Sequence, residues 1–151
     1  MLELNIVPVK KTYQVEDKKQ RTIYTIKRKW GKYAISDANG YELYVLADSK
    51  DNYEPEYSIL LNNKRKGSVR CISKFVHPRL LLKADELELT LATEDHMHYT
   101  ITNERNEERG SLTVIPVGGG FRFELAIEQV DFDDYIPLVP LAAIQAIAPI
   151  T

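Results

Sequence analysis

Four small constellations in this chain have residue types that could do chemistry, and each can be weighed against what that chemistry needs. His96 and His98, within Asp95-His96-Met97-His98, are two residues apart. On a strand they would face the same side, and with Asp95 or Glu94 they could hold a divalent cation. A metal site wants a third and fourth ligand at defined spacing, so the simpler expectation is a polar strand face with unlinked imidazoles. Gly118-Gly119-Gly120 resembles a phosphate loop in composition alone. Such a loop continues into Lys-Ser/Thr and a helix, whereas Phe121-Arg122-Phe123 reads as strand, so a hairpin turn is expected there. Cys71 is the sole cysteine, which leaves no internal disulfide and no Cys-x-x-Cys site. His77 lies near it in sequence, but the alternation of Val69 and Cys71 reads as a small buried apolar position. Asp131, Asp133 and Asp134 lack the order of a calcium loop, and capping of a following helix would account for at least one of them. With no Gly-x-Ser-x-Gly elbow either, the chain is expected to be neither an enzyme nor a cofactor binder.

The basic residues suggest binding instead. Lys18, Lys19 and Arg21 form one cluster, Lys64, Arg65 and Lys66 a second, and Arg28, Lys29 and Trp30 a third. Cations beside an interfacial Trp suit an anionic membrane surface, where each Lys or Arg adds ~1 kcal/mol. The competing expectation is solvated turns that keep strand edges from aggregating. Net charge is −2, yet residues 1–79 carry 16 Lys/Arg against 9 Asp/Glu and residues 80–151 carry 4 against 13. The simple expectation is that the two halves interleave in the fold and neutralise one another. Nucleic acid is not expected as a partner, because net charge is negative and the basic residues are not interleaved with aromatics.

The elements that would position these residues come from a weak internal repeat. Tyr-x-(Ile/Val), a polar turn and a second apolar run recur four times, beginning at Tyr13, Tyr33, Tyr57 and Tyr99. The turns are placed at Asp17–Gln20, Asp37–Gly40, Asn62–Gly67 and Asn103–Gly110. Period-two alternation around turns rich in Asn, Asp and Gly marks β-hairpins. Leu87–Leu91 and Phe121–Ile127 add further strands. With no amphipathic helical pattern before about residue 134, the chain reads as one domain over residues 1–151, a meander of ten or more short strands. A sheet of that size curls, splits or closes.

In a meander, successive turns alternate between ends. Lys18, Lys19, Arg21, Lys64, Arg65 and Lys66 should therefore share one end with Asp37, Glu104, Glu107 and Glu108. Arg28, Lys29, Trp30, Lys32, Lys74 and Arg79 should lie at the other.

The run from Ile136 to Ile150 has Gln145 as its only polar side chain. At 15 residues, broken by Pro137, Pro140 and Pro149, it falls short of the roughly 20 a spanning helix needs. It is expected to be a buried helix over about 136–148, starting after Asp133-Asp134, with Pro140 in the first turn and Leu138, Leu141, Ile144 and Ile147 in the core. The N-terminus lacks the pattern of a signal peptide, and the expected location is cytoplasmic, peripheral to a membrane where the basic turns engage one.

Tyr33-Ala-Ile-Ser-Asp37-Ala-Asn-Gly40-Tyr-Glu-Leu43, Glu56-Tyr-Ser-Ile59 leading to a basic turn, Lys74-Phe75 and His98-Tyr-Thr-Ile101 resemble the LURP-one-related family. That family sits in the tubby C-terminal-like and phospholipid scramblase-like group. The resemblance runs from about Tyr13 to Ile147. It implies a closed antiparallel barrel of about twelve strands around a buried hydrophobic C-terminal helix. Members of the group include phosphoinositide-linked and lipid-active proteins, which points to a non-catalytic binding module for anionic lipid. A structural or protein–protein interaction domain is the alternative. The resemblance transfers no binding residue to a position of this chain.

Overall fold

Alternating apolar and polar side chains build twelve strands in a computed structural model that describes residues 1–49, 54–73, 76–128 and 132–149. They are β1 (Leu2–Val9), β2 (Thr12–Glu16), β3 (Thr22–Lys29), β4 (Lys32–Ser36), β5 (Glu42–Asp48) and β6 (Glu56–Leu61), followed by β7 (Lys64–Ser73), β8 (Arg79–Ala84), β9 (Leu87–Thr93), β10 (His98–Asn103), β11 (Glu108–Val117) and β12 (Gly120–Ile127). Each pairs antiparallel with the next, and β1 pairs with β12, so the wall is a closed up-and-down barrel. Closure sets Leu4 opposite Leu125 and Ile6 opposite Phe123, and it leaves no strand edge to recruit another chain.

Two strands escape the repeat-based reading. β8 is one. β1 is the other, although Leu2, Leu4 and Ile6 alternate as a half-buried strand should.

The repeat itself becomes a structural repeat. Asp17, Asp37 and Asn103 accept backbone N–H bonds on Oδ1 from the residues two and four positions on: Lys19 and Arg21, Asn39 and Tyr41, Arg105 and Glu107. Each of these turns then has a left-handed residue three positions on, Gln20, Gly40 or Asn106. This is the Asx-turn chemistry of short polar side chains. A bulge follows each turn, with one residue extra in β3, β5 and β11. The Tyr57 repeat differs. Its turn is only Asn62-Asn63, both at positive φ, so Lys64, Arg65 and Lys66 belong to β7 and not to the six-residue turn expected. The fourth turn is likewise shorter than expected, because β11 starts at Glu108. Gly118-Gly119 is the hairpin turn between β11 and β12, with Gly119 at φ +82°.

Inside the wall runs the C-terminal tail, a 3-10 turn (Ile136–Leu138) leading into α1 (Val139–Ala146). Pro140 lies in the first turn of α1, where a missing N–H is tolerated. Leu138, Leu141, Ala142 and Ala143 are wholly buried, as is Ile147 just past the helix, while Ile144 is half-buried and Gln145 exposed. The plug is therefore shorter than expected, and its last turn is only partly enclosed. An internal gap beside Pro140 holds about 10 Å³, about the space of one water.

The tail enters among the turns at 17–21 and 37–41 and leaves beside the 94–97 loop, where His96 Nδ1 lies 3.0 Å from the Ala148 carbonyl oxygen. These are the entry end and the exit end. The topology also corrects the charge expectation. In an uncrossed meander β1–β7 form one arc of wall and β8–β12 the other, so the basic and acidic halves of the chain do not interleave. They stand side by side.

Candidate anionic-surface site

Turn parity holds, and it separates two kinds of basic cluster. At the entry end the cations are matched to acids. Lys18 Nζ is 3.2 Å from Glu3, Arg21 2.9 Å from Asp17, Arg65 2.7 Å from Glu56 and Lys66 3.1 Å from Asp85. Lys19 and Lys64 make no ion pair with a described acid. Asp37, Glu42, Glu86, Glu104, Glu107 and Glu108 surround them on neighbouring turns and strand ends. Exposed pairs of this kind contribute little stability, but they neutralise the charge a ligand would need.

At the exit end the β3–β4 hairpin carries Arg28, Lys29, Trp30, Gly31 and Lys32, all exposed. None of its cations is in an ion pair with a described acid. Lys29 stands directly opposite Lys32, and the Arg28 guanidinium lies 5.8 Å from the centroid of the Tyr33 ring. Trp30 is 91 % exposed at φ +54°. Beneath the hairpin lies a group of aromatic rings: Tyr13 packs 6.5 Å from Tyr33 and 6.1 Å from Phe123. Burial, with the neighbouring Tyr33, pushes the Tyr13 hydroxyl above its ordinary pKa. The proposed set thus falls into two groups, with Arg28, Lys29 and Trp30 at one end and Lys18, Lys19, Arg21, Lys64, Arg65 and Lys66 at the other. Arg79 starts β8 at the exit end, while Lys74 and Phe75 lie outside the described residues.

The other constellations are drawn into structure. His96 precedes β10 in a left-handed conformation and is given to the plug carbonyl. His98 Nδ1 is 2.6 Å from Asp95 Oδ2. Two backbone N–H donors, from His98 and Met97, together with that imidazole hold the Asp95 carboxyl well below the usual carboxylate range. Glu94 pairs with His77 instead. The two rings therefore do not share a strand face, and among the described residues no group of three or more His, Cys, Asp or Glu is disposed to hold a metal. Cys71 is buried, its Sγ 3.3 Å from the Ser73 carbonyl.

Asp133 and Asp134 do something the sequence reading missed. Neither helix start receives a side-chain cap. Instead the Tyr44 hydroxyl donates to Asp133 over 2.5 Å and the Tyr24 hydroxyl donates to Asp134, while Tyr44 packs edge-on against Tyr135. Burial, then the Asp133 hydrogen bond, pushes the Tyr44 hydroxyl far above its ordinary pKa, and Tyr24 is raised in the same way by burial and Asp134. Asp131 lies outside the described residues.

No protein family, curated protein or solved structure matches the chain. No helix among the described residues is long and apolar enough to cross a membrane.

Two features were missed for want of β1. The turn joining β1 to β2, Lys10-Lys11, is a second basic hairpin tip at the exit end; its signal was the alternation of Leu2, Leu4 and Ile6 immediately before a Lys pair. The outer wall across β1, β12 and β11 also forms an open groove of about 520 Å³, lined by Glu3, Asn5, Lys18, Ser111, Thr113 and Glu124 among others.

Proposed function

We propose that this chain is a non-catalytic binding module of the LURP-one-related, tubby C-terminal-like kind, which associates from the cytoplasmic side with anionic lipid headgroups, phosphoinositides among them. The observation that carries the reading is the contrast between the two ends. Most entry-end cations are neutralised by neighbouring acids, whereas Arg28, Lys29 and Lys32 make no ion pair with a described acid around an exposed Trp30. Cations not neutralised by a neighbouring acid retain their attraction for a negative surface, and Trp favours the headgroup layer. The interior supports binding at the surface over chemistry within, since the plug fills the barrel.

Sedimentation with phosphatidylcholine vesicles containing phosphatidylserine tests the reading. The protein should pellet with them at low ionic strength, stay in solution with phosphatidylcholine alone, and be released by salt as the charges are screened. Failure to pellet at low salt overturns it. The open groove on the outer wall favours a second reading, a protein-interaction domain, which a stable complex insensitive to anionic vesicles would support.

A further inference from the structure

We infer that three adjacent hairpin tips at the exit end form a single membrane-docking edge, with Trp30 entering the headgroup layer and Lys10, Lys11, Lys27, Lys29 and Lys32 drawing anionic phospholipid around it. This rests on the proposed lipid association and adds which edge makes the contact, which residues beyond the sequence-selected set take part, and how.

The tips are neighbours because their strands are. β12 pairs with β1 and β2 with β3, so the turn at Gly118-Gly119, the turn at Lys10-Lys11 and the turn at Trp30-Gly31 follow one another around the rim. Across the tip-proximal segments 7–13, 25–34 and 114–123 there is not one Asp or Glu. Lys10, Lys11, Lys27, Arg28, Lys29 and Lys32 are all exposed there, and of the cations in these segments Arg122 alone is given to a described acid, Glu124 at 3.0 Å. The described exit-end acids lie on the flanking tips, Asp48 and Glu54 between β5 and β6 and Glu94 and Asp95 between β9 and β10, outside these three segments. Val9 and Val117 join Trp30 as exposed apolar side chains on the same edge.

Three features of this edge work against folding. Lys29 and Lys32 are like charges directly opposite on paired strands, a destabilising arrangement. Trp30 is nearly fully exposed. Trp30 and Lys10 both take left-handed backbone, at φ +54° and +55°, in turn positions that Asn, Asp or Gly fill at far lower cost. Strained, exposed residues of this sort point to a contact outside the chain. An anionic headgroup layer converts the first two into favourable interactions, by screening the lysine pair and receiving the indole at interfacial depth. The cations sit at or beside hairpin tips and line none of the grooves described above, which fits a plane of headgroups better than one headgroup in a pocket. Docked by this edge, the barrel presents the mouth from which the plug emerges toward the bilayer and its acidic entry end away from it.

Trp30 is the only tryptophan, so its emission reports on this edge alone. Titration with phosphatidylglycerol vesicles should blue-shift the emission and shield it from acrylamide. Lys10→Glu with Lys11→Glu, and separately Trp30→Asn, should each weaken vesicle sedimentation by about tenfold or more, while Lys19→Glu with Lys64→Glu at the entry end leaves it near wild type. Trp30→Asn creates Asn-Gly, the favoured turn for this hairpin, so its loss of binding is not a folding defect. Wild-type binding that survives the exit-end variants but is lost in the entry-end variant overturns the inference and leaves lipid association standing. No wild-type binding overturns both. Shielding of Trp30 that rises with protein concentration without vesicles identifies a second copy as the occupant and also overturns it.

Discussion

At Trp30 the cost to folding and the proposed membrane contact fall on one residue, and the two can be separated by substitution. A bulky side chain held in left-handed backbone costs about 1–2 kcal/mol relative to a residue suited to it. Trp30→Asn should therefore raise stability by about 1 kcal/mol, seen as a melting temperature about 2–4 °C higher. A lower melting temperature would mean that Trp30 makes a stabilising contact within the chain. The tyrosines give a second residue-scale prediction. Burial raises Tyr57 and Tyr135 to about 12 and carries Tyr24, Tyr44 and Tyr99 higher still. Because the folded values lie above the unfolded one near 10, the stability they contribute is fully present below pH 10. It is lost as pH rises toward the folded values, by up to about 1.4 kcal/mol per pH unit for each ring. Urea midpoints should be insensitive to these rings from pH 7 to 9 and fall steeply between pH 10 and 12. A flat profile across that window would contradict their burial. The repeating Tyr-x-(Ile/Val) was legible because pleating alone forces its alternation. The partners of Asp133 and Asp134 were not, because Tyr44 and Tyr24 are brought to them only by closure of the wall around the tail. A capped helix start and a tethered one look alike in sequence.

Among the elements, the plug matters most. Ile136, Leu138, Val139, Leu141 and Ile147 are buried inside the barrel, together worth ~8–15 kcal/mol as an upper figure against a whole-domain stability of ~5–15 kcal/mol. Removing residues 136–151 should abolish cooperative unfolding, and Leu141→Ala, which leaves a cavity, should cost ~2–5 kcal/mol. Denaturant unfolding of both variants is the measurement, and a cooperative melt of the truncated chain would show that the wall holds itself. The burial of this tail could be read from its unbroken apolar character and its length too short to span a bilayer. Its half-exposed last turn could not, because where Ile144 leaves the barrel depends on the height of the wall. β1 was missed for another reason. Its five-residue alternation is too short to stand alone until β12 supplies the partner, 117 to 125 positions away.

At the scale of the whole molecule, the closure by β1 decides both shape and charge. It joins the start of the basic arc to the end of the acidic arc, and it places Lys10-Lys11 beside the Gly118-Gly119 tip. None of the proposed docking edge as a surface could be read from the chain, since its three tips are separated by up to about a hundred residues and meet only when the ring closes. The same closure makes a last prediction. Without residues 1–9, β12 and β2 each lose a partner, and two strand edges open, one of them the apolar Phe121–Ile127 stretch. Exposed edges template pairing with other chains, so the shortened protein should form oligomers in light scattering at concentrations where the full chain is monomeric. Loss of Leu4 and Ile6 from the core would add general destabilisation, and the two causes separate with a peptide. A synthetic Leu2–Val9 strand supplied in trans can fill the gap by strand addition. If edge exposure drives association, the peptide restores monomers; if oligomers persist with the peptide bound, the defect lies in the core and not in the open ring.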